Sequence, residues 1–152
     1  MNLSRISIGR IHRTGVSNQG VTKQERLSCD FIIDGKSLLE LLTKSISLDS
    51  PDLMGCFVSG FPNQNEHSRS ALLCLDAAPL ESGRVPLYIC PECGDLGCGL
   101  FAARVSKVPS GYTWNDFAYE NGYEAPAPCL EVPTFRFADS EYLNAIDSAV
   151  AL

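Results

Sequence analysis

The sequence predicts an α+β fold: a single, largely antiparallel sheet of five or six strands with two or three short helices. Three observations predict it. Apolar residues recur with a period of two along several segments, as half-buried strands require. From Val85 to Glu120 strand follows strand, which reads as a meander. Apolar spacing of three and four is confined to short stretches, so the helices are few. A chain of 152 residues fits one domain spanning 1–152, built on one core.

Taken in order, "SRISIGRIH" alternates Ile6 and Ile8 with polar neighbours and predicts a first strand. "GVSNQGVTKQ" is polar, holds two glycines and predicts a loop or hairpin connection. The clearest strand follows, with Leu27, Cys29, Phe31 and Ile33 on one face and Arg26, Ser28 and Asp30 on the other. Asp34 and Gly35 end it. Ser37 with Glu40 three residues later forms a capping box, predicting a helix over 38–44 with Leu38, Leu41 and Leu42 inward. Ser50 before Pro51 offers a cap for a single helical turn. "CFVSG" is a candidate strand, "FPNQNEHSRS" a polar surface loop, and "ALLCL" an apolar run of undecided type.

The C-terminal half is more regular. "VPLYIC" predicts a strand that Pro86 places at an edge or near a strand start. "GLFAARVSKV" sets Phe101, Ala103 and Val105 on one face. After the "PSG" turn, "YTWNDFAYE" sets Tyr112 and Trp114 on one side and Phe117 and Tyr119 on the other. "NGYEAPAPCLEVP" is a Pro-rich connection and "TFRF" a last strand. Asp139 or Ser140 caps a final helix carrying Leu143, Ile146 and Val150.

Composition narrows the function classes. The apolar fraction is 45% and the charged fraction 20%, so disorder is not expected. A net charge of −6 argues against binding nucleic acid or an anionic membrane, either of which needs a basic face. It favours a partner with a basic surface, although mild acidity also serves solubility alone. No apolar run reaches the roughly 20 residues that span a bilayer. The start "MNLSRISIGR" has no apolar core of a secretory signal, so a cytoplasmic location is expected. The seven cysteines are then reduced thiols.

Three of those cysteines fall in one loop, "LYICPECGDLGCGLF". Cys90, Pro91, Glu92, Cys93 and Gly94 form half of a zinc knuckle, because two thiolates at C-x2-C spacing reach one ion and the glycine relieves the turn. There is no second C-x2-C; Cys98 follows five residues after Cys93. Zinc held by Cys90, Cys93 and Cys98 therefore needs a fourth ligand that spacing does not identify, with Cys129, Cys74 and His67 as candidates. A dithiol redox role competes, but its usual setting is a helix N-terminus, and this loop joins two strands. The third alternative is a glycine-rich hairpin whose cysteines pack as small apolar side chains.

Other chemistry is sparse. The two histidines, His12 and His67, lie after a strand and in a polar segment. No nucleophile elbow, phosphate loop or dinucleotide fingerprint is present, so no catalytic residue is assigned. "WNDFAYENGYE" interleaves carboxylates with aromatics, and Asp116, Tyr119, Glu120 and Glu124 are the candidate contacts to a protein partner. The alternative for that stretch is a core of aromatics with a solvated acidic rim.

"GRVPLYICPECGDLGCG", followed by "WNDFAYEN" and "FRF…YLNAI", resembles a family of small bacterial proteins sharing a G-R-V-P-L-Y-x-C-P-x-C-G-D-L-G-C-G core and a W-x-D-F strand. The resemblance covers residues 83–147 and, loosely, the step at Asp34, Gly35, Ser37 and Leu38. Some of its members go under the description of oxidoreductase, for which this chain offers no supporting residue pattern. In size, acidity and lack of catalytic groups the chain is also similar to cytosolic immunity proteins that protect bacteria from toxins of neighbouring cells. That likeness implies a non-enzymatic binding protein that occludes a basic toxin domain of the contact-dependent growth inhibition type. The alternative is a zinc-stabilised or thiol-dependent protein centred on Cys90, Cys93 and Cys98.

Overall fold

Strong β alternation near the N-terminus makes a long hairpin. In the computed structural model of the protein, which describes residues 2–49 and 51–152, strand β1 (Ile6–Arg13) is followed by a polar two-stranded ribbon of β2 (Val16–Asn18) and β3 (Val21–Lys23). Strand β4 (Arg26–Ile33) then returns along β1, from Arg13 opposite Arg26 to Ile6 opposite Ile33. Cys29, Phe31 and Ile33 are buried on one face as expected. Asp34 and Gly35 turn the chain with positive φ (51° and 79°), the geometry of a tight hairpin, into the short β5 (Lys36–Ser37). The Ser37 hydroxyl accepts from the Glu40 N–H at 3.4 Å and opens helix α1 (Leu38–Ser45), which buries Leu38 and Leu42 and half-buries Leu41.

Two segments differ from expectation. The helical turn at Pro51 does not form, and Ser50, its expected cap, lies outside the described residues. The chain is instead drawn into β6 (Met54–Gly55), which pairs with β7 (Val85–Ile89). Gly55 allows this close approach, since a Cβ there would collide with the Cys29 carbonyl. "CFVSG" continues only as a single bridge between Val58 and Ser28. The polar stretch after it is not a loop but helix α2 (Pro62–Leu72), begun by Pro62, which tolerates the first turn. Its apolar signal is weak because a buried amide does part of the anchoring. Asn65 accepts from the Val58 N–H and donates to the Val58 carbonyl, both at 2.8 Å.

The meander forms as predicted from β7 through β8 (Leu100–Val108) to β9 (Gly111–Glu120). Pro86 sits on a stretch of β7 beyond the reach of two-residue β6, so its missing N–H interrupts no ladder there. The outer edge of β9 is shared by β10 (Ala127–Pro128) and β11 (Phe135–Ala138), completing a six-stranded sheet. Helix α3 (Asp139–Val150) ends the chain. Its N-cap is Ala138, and the Asp139 N–H donates to the Ser110 carbonyl, so neither Asp139 nor Ser140 caps it. Tyr142, Ala145, Ile146 and Ala149 face inward, whereas Leu143 is exposed.

The α+β class therefore holds, with antiparallel sheets, the largest of six strands. The strands do not all join one sheet: β1, β4 and β5 form a second one, and the core lies between the two. Phe31 of β4 meets Trp114 of β9 edge-on at 5.2 Å and Tyr88 of β7 at 5.7 Å. The Tyr88 hydroxyl donates to Asp30 at 2.6 Å and accepts from the Phe31 N–H. Trp114 donates to the Tyr142 hydroxyl, which donates in turn to the Leu72 carbonyl at 2.6 Å, tying β9, α3 and α2 together.

A bulge corrects the expected facing of β9. Ala118 opposes Ala102 and Asn115 opposes Arg104, so Asp116 and Phe117 together face the single residue Ala103. Asp116 has φ 52°. The extra residue resets the alternation, and Phe117 and Tyr119 join the face of Tyr112 and Trp114.

Candidate metal centre

The seven cysteines divide by environment. Cys29, Cys56 and Cys129 are buried. Burial pushes the Cys56 thiol well up and the Cys129 thiol up to about 11, so both behave as small apolar side chains. Cys74 is exposed on its own and donates weakly to the Val105 carbonyl. Cys90, Cys93 and Cys98 converge.

The local sequence builds that convergence. Cys90 follows the last residue of β7, and the Gly94 N–H donates to the Cys90 carbonyl at 2.9 Å, closing the C-x2-C turn. Gly94 has φ 69°, which a β-carbon disfavours. A 3-10 turn, Leu96–Cys98, then brings the third thiol back. Gly99 (φ 90°) passes so close to the Tyr119 hydroxyl that a Cβ would collide with it. The three sulfurs lie within 4.8 Å of one another, and Cys93 and Cys98 are 2.9 Å apart.

Electrostatics separate the three thiols. Desolvation pushes Cys90 up, but backbone N–H groups of Cys93 and Glu92 and the neighbouring thiols outweigh it, leaving Cys90 lowered. Hydrogen bonding to Cys93 and Cys90 pushes Cys98 up to about 12. Three sulfurs sharing so small a volume do not all ionise without a cation among them.

The loop is docked on the N-terminal sheet by contacts far apart in sequence. Arg13 pairs with Glu92 at 2.7 Å and with Asp52 at 2.7 Å. The Arg13 guanidinium holds the Glu92 carboxyl below its ordinary range. Arg26 donates to the Pro91 carbonyl at 2.9 Å and lies over the Phe61 ring. Neither arginine carried a motif; only their shared place on the β1–β4 hairpin, opposite one another, distinguishes them.

None of the three candidate fourth ligands joins the cluster. Among the described residues, the thiols of Cys90, Cys93 and Cys98 form the one group of His, Cys, Asp or Glu that could hold an ion. Cys129 is buried, where its N–H donates to the Phe117 carbonyl. Cys74 sits against β8. His67 lies on α2 and lines, with Cys93, Gly94 and Asp95, a cleft of about 450 Å³.

The acidic–aromatic stretch is largely engaged internally. Asp116 accepts from Arg84 at 2.9 Å and from Arg104 at 2.7 Å. Glu120 is buried and accepts from Ser82 and Arg84. Tyr119 is half-buried, edge-on to Phe101. Glu124 is exposed beside Tyr123, a residue that is 83% exposed. The sequence could not separate these cases because the bulge and Arg84 decide them.

No family model, curated protein or solved structure matches the chain. No helix among the described residues is long and apolar enough to cross a membrane.

Proposed function

We propose that the protein binds one thiophilic metal ion, zinc in a cell, through Cys90, Cys93 and Cys98, and that the ion fixes the β7–β8 loop as a rigid binding surface. The single observation that carries this reading is the convergence of three thiol sulfurs within 4.8 Å at a glycine-relieved turn. The donor set fits: sulfur ligands select zinc over hard cations, and a bound thiol is deprotonated. The setting supports a fixed loop, since Arg13 and Arg26 already hold its backbone and Glu92 from outside. Native mass spectrometry of protein purified without a histidine tag or chelator tests the reading. One zinc per chain, lost in a Cys90→Ser/Cys93→Ser/Cys98→Ser variant of unchanged circular dichroism, is the expected result. A metal-free wild type that takes up no zinc at micromolar concentration rejects it.

A second reading is a binding protein of immunity type. The net charge of −6 and the exposed Tyr123 beside Glu124 support it. Asp116 and Glu120 already satisfy arginines of this chain, so Tyr123 and Glu124 would bear the contact. Co-expression with a basic toxin domain tests it: protection that Tyr123→Ala abolishes is expected, and no protection rejects it.

A further inference from the structure

A zinc ion prefers four ligands, and this chain brings three to the cluster. Structural zinc sites fill all four positions from the protein; sites that exchange ligands leave the fourth to an outside donor. Here the unfilled position belongs to a loop that borders a cleft of ligand size. Cys93, Gly94 and Asp95 form one wall, and Gln64, His67 and Ser68 of α2 form the other. Ile89, Val85 and Pro86 add apolar surface. A smaller hollow of about 50 Å³ shares Gln64, Cys93 and Gly94 with the cleft and also reaches Cys90. Of the three cysteines, Cys93 lines the cleft itself and Cys90 lines the hollow beside it. A cleft of roughly 300–1,000 Å³, apolar with a few polar groups, is the usual form of a small-molecule site.

Resting on the metal reading above, we infer that the cleft between α2 and the cysteine loop admits a small thiol, whose sulfur supplies the fourth ligand to the ion held by Cys90, Cys93 and Cys98. Sulfur is the donor that such a thiophilic site takes up most readily. Charge selects among thiols. A divalent ion with three thiolates has a net charge of about −1, and the cleft adds the carboxylates of Asp76 and Asp95 against one histidine, with the single guanidinium of Arg26 at the adjoining hollow, so the site stays net negative. An anionic thiol is repelled, and one with an ammonium at its other end is drawn in. In the binding step the thiol gives its proton to solvent, and its sulfur lone pair forms the new bond to the ion in place of a water. No oxidation accompanies it.

Cobalt(II), which reports sulfur ligation by its charge-transfer absorption, is loaded into the full chain and titrated with cysteamine and, separately, with mercaptoacetate. The expected result is a saturable rise in sulfur-to-cobalt absorption, at a roughly tenfold lower concentration of cysteamine at low ionic strength. Asp76→Asn/Asp95→Asn narrows that difference while cobalt uptake is unchanged. A cobalt-loaded protein whose spectrum neither thiol changes overturns the inference and leaves the metal reading intact. So does a His67→Ala variant that weakens cobalt binding because His67 was the fourth ligand, whereas a spectrum that both thiols change equally overturns the charge selection by Asp76 and Asp95. Absence of any cobalt spectrum rejects the metal reading itself.

Discussion

Two ends of the six-stranded sheet are held in opposite ways. Around Trp114, the far end is packed: Phe31, Phe137 and Tyr142 surround the indole, and every hydroxyl and N–H in that contact has a partner. At the β7–β8 end, Cys93 and Cys98 are exposed, glycines turn the chain, and two arginines grip it from outside. The first end is fixed by area removed from water. The second buries little, and directional contacts hold it: the Arg13 and Arg26 pairs from outside and the turn hydrogen bond from Gly94 to Cys90 within. At such an end the proposed ion would add to stability what burial does not, which is where the two ends can be told apart by experiment.

The comparison predicts unequal responses to substitution. Trp114→Ala leaves a cavity at the packed end and is expected to cost about 3–5 kcal/mol of stability in urea unfolding, with or without metal. Ser at Cys90, Cys93 and Cys98 has little effect in metal-free buffer. Zinc at a hundredfold excess over its dissociation constant stabilises the wild type by about 2.7 kcal/mol, and this gain is absent from the variant. A triple variant as destabilised as Trp114→Ala without metal would erase the distinction between the two ends.

Much of the packed end was legible in the sequence and little of what surrounds the thiols was. Period-two alternation in β4, β8 and β9 is a local signal of burial, and the capping box at Ser37 is local too. Helix α2 escaped because Asn65 anchors it through a hydrogen-bonded amide, a polar residue in a core position. The bulge at Asp116 escaped because no residue type demands it; Arg84, just ahead of β7, and Arg104 of β8 hold it by hydrogen bonds. Cys90, Cys93 and Cys98 were legible from spacing alone. Their docking by Arg13 and Arg26 was not, since those partners lie more than sixty residues away in the chain.

Smaller effects sharpen the same contrast. Arg13→Ala removes both the Glu92 and the Asp52 pairs at a partly exposed site and is expected to cost about 1 kcal/mol, read by chemical denaturation. Its larger signature is faster amide exchange confined to the cysteine loop. Asp116 supplies the pH dependence. Desolvation raises its carboxyl, but hydrogen bonds from Arg104 and Arg84 outweigh that and leave it lowered. Its stabilisation is thus complete above the ordinary aspartate range and is lost as pH falls through the depressed folded value. Acid unfolding of Asp116→Asn should be shallower below about pH 4 than that of the wild type.

X-ray absorption at the zinc edge of the loaded protein counts the ligands directly. Three sulfurs at about 2.3 Å and one light atom are predicted for protein without added thiol. Four sulfurs would mean that Cys74 or Cys129 leaves its place to complete the site, and a shell of oxygen and nitrogen would mean that Cys90, Cys93 and Cys98 do not hold the ion; either result contradicts the three-thiolate site.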